Sequence, residues 1–247
     1  MKLAKRLVRE VLLRFGYELR QKEFRIPGAF EWQRQLVEEA SPMIFDIGAF
    51  TGEVATVYRK LFPEAQICCF EPNPQSFELL RERLKTDTAR LFQLAVSADG
   101  RPVVLNANAA PATSSVLRTD ARAVQHWGRG LLETVSEIEV ASTTIDVFCQ
   151  EHGIDKIDIL KIDVQGFELA VLKGAGNMLG SGRIRLVYLE LIACPTYEHQ
   201  PRLGEYFELL DAHGYVLSNL FDPVVRDGRL LQIDAVFIAP NGNASPS

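Results

Sequence analysis

The spacing of hydrophobic residues changes repeatedly along the chain from residue 43 onward. Short apolar runs at 43–47, 66–70 and 91–96 are typical of buried strands. The segments between them, at 52–61 and 75–85, have the wider spacing of amphipathic helices. A series of strands that alternate with helices in this way predicts a parallel sheet with crossover helices.

The same alternation resumes after residue 143 and ends in a hairpin. Thr144 is a predicted helix cap, and Gly174 and Gly176 interrupt one of the later helices. The last two strands are joined by Asp227-Gly228, and so short a turn requires an antiparallel hairpin. The predicted elements are strands at 157–162, 184–191, 215–220 and 232–239, and helices at 145–152, 168–178 and 203–213.

Residues 101–142 interrupt the alternation with a less regular segment. Strands are predicted at 103–106 and 137–141, and a polar loop at 111–115 lies between them. Long insertions in compact domains often form lids or binding loops. We therefore expect this β-rich insertion, together with the loop at 194–202, to shape a substrate pocket.

Residues 2–16 have the spacing of an amphipathic helix, with basic side chains over the rest of its surface. This N-terminal helix has two interpretations: it packs on the core, or it makes peripheral contact with an anionic membrane surface. The chain is expected to divide into a helical extension over 1–40, one main domain over 41–240 and a disordered polar tail over 241–247.

The composition limits the classes of protein to which the chain can belong. Its 247 residues are 47% hydrophobic and 24% charged, the balance of an ordinary globular domain. A net charge of −5 argues against a nucleic-acid partner. Apolar stretches fall far short of the ~20 residues that span a bilayer. The four cysteines lack the spacing of a metal site, which favours a cytoplasmic protein with reduced thiols.

A glycine-rich turn, Asp46-Ile47-Gly48-Ala49-Phe50-Thr51-Gly52, follows the first predicted strand. Glycine lets the chain turn sharply and lets a ligand approach the backbone, and amides at the start of the next helix bind polar ligands. Glu71 ends the second strand, 19 positions after Gly52. An acid at about this distance accepts hydrogen bonds from ribose hydroxyls. The sequence therefore predicts a ligand that carries a ribose.

Three features favour S-adenosylmethionine over NAD as this ligand. Asp46 precedes Gly48 by two residues, where its carboxylate would attract an ammonium group and repel a pyrophosphate. The spacing of Gly48 and Gly52 differs from the dinucleotide fingerprint, and the terminal hairpin is usual in methyltransferase sheets. A nicotinamide-dependent oxidoreductase and a non-catalytic S-adenosylmethionine-binding module are the alternatives.

Five segments of the chain resemble the FkbM-type methyltransferases: FDIGAFTGE, CFEPNP, LAVS, TSS and LKIDVQGFELAVLKG. The resemblance covers about 43–239 and is most specific in KIDVQGFE, where the commoner family form has glutamate in place of Gln165. This departure weakens any catalytic role for position 165. The resemblance implies a class I methyltransferase fold, a Rossmann-like, seven-stranded and mostly parallel sheet with an antiparallel last strand. It also implies methyl transfer from S-adenosylmethionine, usually to a hydroxyl oxygen of a sugar, polyketide or related metabolite.

The resemblance further implies a set of residues that bind the cofactor. The glycine-rich turn would line the methionine and ribose, Glu71 would bind the ribose, and the third strand would lie beside the adenine. The loop at 113–115 would cover the cofactor or the acceptor. The implied residues are Asp46, Gly48, Ala49, Gly52, Glu71, Pro72, Asn73, Ala95, Val96, Ser114 and Ser115.

The ends of two later strands carry candidate catalytic residues. Lys161 and Asp163 alternate onto one strand face, and Glu190 ends the next strand. The two carboxylates have three interpretations: ligands for a divalent cation such as Mg²⁺, a pair in which one pKa is raised, or a network with Lys161. The expectation adopted for this site is that it holds no metal.

Methyl transfer to an alcohol requires a group that accepts the hydroxyl proton. The candidates are His199, Asp163 and Glu190. His199 is the leading candidate because imidazole titrates near neutral pH and because its loop follows the fifth main strand. The acceptor is expected to be a small molecule or a glycan, and the sequence carries no sign of an oligomeric state.

Overall fold

The structure, a computed structural model, describes residues 27–239. The helix predicted at 2–16 and the tail predicted at 241–247 lie outside the described residues. The domain boundaries and the membrane contact that depend on them stay predictions. Within residues 27–239, no helix has the length and apolar character needed to cross a membrane.

The observed elements agree with most of those predicted, usually to within two residues. The strands are β1 (Met43–Ile47), β2 (Gln66–Phe70), β3 (Arg90–Phe92), β4 (Ala95–Val96), β5 (Val103–Asn108), β6 (Thr134–Val140), β7 (Ser142–Thr143), β8 (Ile157–Ile162), β9 (Ile184–Ile192), β10 (Val216–Arg226) and β11 (Arg229–Ile238). The helices are α1 (Ala29–Leu36), α2 (Glu53–Leu61), α3 (Pro74–Arg83), α4 (Ala123–Trp127), α5 (Ile145–His152), α6 (Glu168–Lys173), α7 (Gly176–Gly180) and α8 (Leu203–Ala212).

The main sheet has seven strands in the order β10-β11-β9-β8-β1-β2-β3. The five strands from β9 to β3 pair in parallel, whereas β11 runs antiparallel to both β9 and β10. The predicted class I methyltransferase fold, with its mostly parallel sheet and terminal hairpin, is confirmed. The parallel strands present their carboxyl ends at one edge, which is where open α/β sheets bind ligands.

Helices cover both faces of the main sheet. On one face α5, α6, α7 and α8 bury side chains such as Phe148 and Leu210. On the other face α1, α2 and α3 bury side chains such as Tyr58 and Leu80. Every residue of the central strand β8 is buried, including Lys161. A charge in such a strand is costly unless it is paired.

The third predicted strand, 91–96, divides into two elements that belong to different sheets. β3 pairs with β2 at the edge of the main sheet, whereas β4 pairs with β7. The amides of Ala95 and Ser97 donate to the carbonyls of Ala141 and Thr143, both at 2.9 Å. These partners lie far along the chain, so the local apolar pattern predicts one continuous strand where two exist.

The segment at 101–142, here called the inserted arm, is β-rich as predicted. β5 and β6 pair antiparallel and form its two-stranded sheet. Both strands extend beyond their predicted bounds, and the short helix α4 was not predicted. A 3-10 turn at Pro111–Thr113 lies within the predicted polar loop, and the loop reaches the main sheet where the Ser115 hydroxyl donates to the Gln165 carbonyl.

Candidate active site

A crevice opens at the carboxyl ends of β1, β2 and β8, and the inserted arm forms one of its walls. Its cavity volume is about 130 Å³, smaller than the roughly 300–1,000 Å³ of typical ligand pockets. Most of the lining side chains are apolar, and Glu71 and Asp163 contribute carboxylates. The predicted site residues that line it are Gly48, Glu71, Pro72, Ala95, Val96, Ser114, Ser115 and Asp163.

Gly48 allows two strand ends to approach each other at the floor of the crevice. Its amide and that of Ala49 donate to the Phe70 carbonyl at 2.9 and 3.0 Å. The backbone φ at Gly48 is +75°, and a Cβ there would lie 1.9 Å from the Asp163 carbonyl oxygen. Only glycine suits both the left-handed backbone and this close contact.

Replacing Gly48 with alanine is expected to destabilise the protein by more than the left-handed backbone alone explains. That backbone costs a non-glycine residue about 1–2 kcal/mol, and the overlap with Asp163 adds to the cost. Gly153 provides a matched control, because its φ is +64° and a Cβ there would meet no atom of residues 27–239 within 4 Å. Urea unfolding should show a larger loss for Gly48→Ala than for Gly153→Ala. Equal losses would contradict the assigned contact.

Gly52 and Ala49 lie next to the crevice but do not line it. Gly52 is the N-cap of α2 with φ +88°, and a Cβ there would lie 2.8 Å from Leu80 Cδ1 on α3. Ala49 is buried in the core. The structure thus gives these residues roles in turning the chain and packing α2 against α3, and their predicted contact with the ligand stays a prediction.

Glu71 enters the crevice from the end of β2, where backbone amides hold its carboxylate. Oε2 accepts a hydrogen bond from the Phe50 amide at 2.9 Å, and Oε1 accepts one from the Asn73 amide at 2.8 Å. Burial raises the pKa of Glu71 to about 7, although these hydrogen bonds favour the ionised form. Each oxygen retains a second lone pair, so Glu71 can still accept hydrogen bonds from ligand hydroxyls.

Asn73 supports the turn after β2 and does not line the crevice. Its Oδ1 accepts a hydrogen bond from the Gln75 amide at 3.0 Å and caps α3. Pro72, beside it, does line the crevice. The predicted ligand wall at this turn therefore comes from Pro72, and Asn73 holds the wall in place.

Asp46 and Lys161 form a buried ion pair beside the crevice floor. The strand register sets them opposite each other on β1 and β8. Lys161 Nζ lies 2.9 Å from Asp46 Oδ1 and donates to the Gly48 carbonyl, also at 2.9 Å. Burial raises the pKa of Asp46 while the Lys161 charge lowers it. Burial lowers the pKa of Lys161, but the charges of Asp46 and Asp163 outweigh it and the net direction is upward.

This ion pair bears on two of the predicted roles. The Asp46 carboxylate, which was expected to face a ligand ammonium group, faces Lys161. Neither side chain lines the crevice. The catalytic role of Lys161 stays a prediction.

Asp163 lines the crevice, and Gln165 joins it to Glu190. The Nε2 of Gln165 donates to Asp163 Oδ1 at 2.9 Å and to Glu190 Oε2 at 2.7 Å. Asp163 Oδ2 lies 3.7 Å from Lys161 Nζ. Of the three interpretations of the carboxylates, the structure supports two together: a network that includes Lys161, and a pair in which burial and the charge of Asp163 raise the pKa of Glu190. Within residues 27–239, no cluster of three or more His, Cys, Asp or Glu side chains could hold a metal ion.

The loop at 194–202 brings Tyr197 to the site and leaves His199 outside it. His199 is exposed, lies on a turn with φ +60° and does not line the crevice. Tyr197 is buried, and its hydroxyl donates to the Thr113 carbonyl of the inserted arm at 2.8 Å. The structure gives no support to His199 as the base. Of the three candidate bases, Asp163 reaches the crevice and Glu190 lies behind it.

The inserted arm closes over the crevice through two serines. The Ser115 hydroxyl donates to the Gln165 carbonyl at 2.7 Å, and Ser114 Oγ accepts a hydrogen bond from the Asn108 amide at 3.1 Å. Both serines line the crevice. The arm is therefore fastened to the end of β8 at the point where Asp163 and Gln165 lie.

The sequence pattern did not identify several residues that line the crevice, because the apolar side chains of a pocket follow the same pattern as those of a hydrophobic core. Leu94 and Phe50 carried a weak signal, since each is adjacent in sequence to a predicted site residue. Tyr197 carried none, because its role depends on the inserted arm. The missed apolar lining residues include Ile47, Phe50, Phe70, Leu94, Leu105, Val116, Val164 and Phe167.

Known proteins with similar sequences are named as methyltransferases. The model of the Methyltransferase FkbM domain matches residues 46–217. The 2-O-methyltransferase NoeI of Sinorhizobium fredii is 30% identical over 183 residues, which cover 71% of this chain and 73% of NoeI. The 31-O-demethyl-FK506 methyltransferase FkbM of Streptomyces tacrolimicus is 29% identical over 213 residues, 78% of this chain and 80% of the relative. The hexuronic acid methyltransferase AglP of Haloferax volcanii is 25% identical over 162 residues, 65% and 61% of the two chains. These matches favour a methyltransferase over an oxidoreductase.

Proposed function

Because this chain belongs to the FkbM methyltransferase family, we propose that it transfers a methyl group from S-adenosylmethionine to a hydroxyl oxygen of a sugar or natural-product acceptor. The observation that carries the proposal is the crevice itself. Its wall is mostly apolar, and carboxylates from Glu71 and Asp163 stand at the ends of β2 and β8. This arrangement suits a ligand with an apolar base, a ribose and a reactive end.

The residues of the crevice fit S-adenosylmethionine by their chemistry. Glu71 would accept hydrogen bonds from the ribose hydroxyls, because its oxygens retain free lone pairs. Pro72, Ala95 and Val96 would form the apolar wall beside the adenine. Gly48 lets the ends of β1 and β8 come together at the crevice floor, since it has no Cβ to meet the Asp163 carbonyl.

The cofactor, when bound, supplies an electrophilic methyl group on a sulfonium. The protein then has two tasks: it holds the acceptor oxygen in line with that methyl group, and it accepts the hydroxyl proton. Asp163 is suited to the second task because it lines the crevice and its Oδ2 accepts no hydrogen bond from Gln165. Glu190, joined to it through Gln165, lies further from the crevice and supports it.

The acceptor would meet the crevice on the side of β8 and β9. Glu71 on β2 and Gly48 on β1 would contact the cofactor, which leaves the strand ends beyond Asp163 for the acceptor. Two of the named relatives are methyltransferases of 31-O-demethyl-FK506 and of hexuronic acid, which supports a hydroxylated metabolite or a sugar here. A glycan or small molecule is therefore proposed, and no nucleic-acid partner.

Transfer of an isotope-labelled methyl group tests the proposed function. The protein is incubated with labelled S-adenosylmethionine and a panel of monosaccharides, oligosaccharides and polyketide alcohols. The expected product carries the label as a methyl ether, which mass spectrometry locates on one oxygen. Tight binding of S-adenosylmethionine without label transfer to any member of a broad panel would favour a non-catalytic binding module.

Because the pKa of Glu71 is about 7, its carboxyl group is ionised at about pH 8 and above. There, replacing Glu71 with alanine is expected to weaken S-adenosylmethionine binding at least roughly tenfold, because hydrogen bonds to a charged group contribute about 1.5–3 kcal/mol. Calorimetric titration measures the change. Glu78→Ala is a matched control, since Glu78 lies exposed on α3 and pairs with Arg81 at the surface. An unchanged affinity in Glu71→Ala would remove Glu71 from the cofactor site.

A further inference from the structure

Gln165 is the side chain that connects most elements of the site. Its Nε2 binds Asp163 and Glu190, at 2.9 and 2.7 Å, on β8 and β9. Its carbonyl accepts the Ser115 hydroxyl of the inserted arm at 2.7 Å, and its Oε1 lies 3.2 Å from the Tyr197 hydroxyl. Its backbone has φ +57°, an unfavourable conformation for a residue with a side chain. Contacts from four parts of the chain hold the residue in this conformation.

A carboxamide suits this position because it is neutral and carries two N–H donors on one nitrogen. When both are ionised, Asp163 and Glu190 bring two negative charges to neighbouring strand ends, and like charges disfavour each other. Lys161 offsets this repulsion only in part, because its ammonium group lies closer to Asp46 than to Asp163. An ionised glutamate at position 165 would have no proton to donate and would add a third charge.

We propose that Gln165 is a positioning residue of the methyl-transfer site, whose carboxamide holds the carboxylates of Asp163 and Glu190 side by side at the crevice wall. One N–H fixes Asp163 Oδ1, which leaves Oδ2 as the oxygen available to an acceptor hydroxyl. The other fixes Glu190 Oε2, while Gln232 Nε2 donates to Glu190 Oε1 at 2.5 Å. The role of Gln165 in methyl transfer rests on the proposed function, whereas its contacts with Asp163 and Glu190 are observed independently of that function.

The charges around the two carboxylates determine the sign of the pH effect. Burial raises the pKa of Glu190 well above its ordinary value, and the charge of Asp163 raises it further. Removal of the Gln165 carboxamide would raise the pKa of Glu190 again, because Glu190 would lose a hydrogen bond that favours its ionised form. A carboxyl group whose pKa is raised on folding stabilises the protein when protonated, and that contribution is lost as the pH rises. The titratable groups that face the pair are Lys161 from β8, Asp46 from β1, Glu168 from α6, Asp234 from β11 and Tyr197 from the loop at 194–202.

The test compares Gln165→Leu with Gln200→Leu, a second glutamine whose hydrogen bonds involve no carboxylate. Gln200 Oε1 accepts the amides of Thr196 and Tyr197, both at 2.9 Å, and Nε2 donates to the Cys194 carbonyl at 2.8 Å. Melting temperatures are measured with the full chain at about pH 5.5 and about pH 8, on either side of neutrality. Gln165→Leu should lose about 2–4 °C more at the higher pH, and Gln200→Leu should lose the same at both. A pH-independent loss in Gln165→Leu would overturn the proposal.

A double variant, Gln165→Leu with Glu190→Gln, keeps the test decisive if the single variant folds poorly. It removes one of the two charges that the amide holds together, so the extra loss at high pH should disappear. If the melting temperatures of the single and double variants fall by the same amount at both pH values, Gln165 contributes packing and does not hold the two carboxylates together. Calorimetry of the wild-type protein with S-adenosylmethionine tests the proposed function separately, so the two failures are distinguishable.

Discussion

Replacing Asp163 with alanine is expected to lower methyl transfer by about 10²–10⁴-fold, the usual contribution of a positioned proton acceptor. Affinity for S-adenosylmethionine should stay measurable, because Glu71 and Gly48 are unchanged. The rate is measured with labelled S-adenosylmethionine and an acceptor identified from the panel, and the affinity by calorimetry. Of the three candidate bases, Asp163 is the one that lines the crevice.

His199→Ala is the matched control for this prediction. His199 is exposed and lies outside the crevice, so its removal should leave the rate near that of the parent protein. If Asp163→Ala keeps the parent rate of methyl transfer and His199→Ala loses most of it, the proton acceptor is His199 and not Asp163. It would mean that the loop at 194–202 moves over the crevice when the acceptor binds.

Replacing Lys161 with methionine is expected to lower the free energy of unfolding by about 3–5 kcal/mol, because removal of one partner leaves a buried charge without its pair. Asp46 is fully buried, and Lys161 Nζ lies 2.9 Å from its Oδ1. Without Lys161 the pKa of Asp46 rises further, so the Asp46 carboxylate takes up a proton and loses its charge at a higher pH. The loss should therefore be smaller in acid than above neutrality, and urea unfolding at several pH values measures it.

Lys156→Met is the control for the Lys161 variant. Lys156 also pairs with an aspartate, Asp158, but its own side chain is 59% exposed. Asp158 is itself buried but keeps its hydrogen bond from the Met43 amide at 2.8 Å, and a pair open to water on one side contributes less than a fully buried pair, so this variant should lose less stability than Lys161→Met. Equal losses in the two lysine variants would contradict the assignment of a buried ion pair to Lys161.

The sequence predicted most of the fold because the strands of the main sheet have uniform surroundings. β2 and β8 have the predicted bounds, since each is a short apolar run covered by helices on both faces. The short turn at Asp227-Gly228 likewise has one local solution. Strand 91–96 could not be predicted correctly, because β4 leaves the sheet to pair with β7 far along the chain.

The sequence located the site better than it assigned roles within it. Strand ends and glycine turns are local signals, so Gly48, Glu71 and Asp163 were found from spacing. The partner of Asp46 was not, because the pairing with Lys161 depends on the register between β1 and β8. In the sequence, Gln165 stands where the commoner family form has glutamate, and this departure argued against a catalytic role. The structure shows it bound to two carboxylates, which only the spatial arrangement of β8 and β9 reveals.

Calorimetric titration of the wild-type protein with S-adenosylmethionine and, separately, with NAD is the decisive measurement for the identity of the cofactor. We expect saturable binding of one S-adenosylmethionine per chain, weakened at least roughly tenfold in Glu71→Ala, and no binding of NAD. Saturable binding of NAD, or an absence of S-adenosylmethionine binding by a folded protein, would contradict the proposed cofactor site.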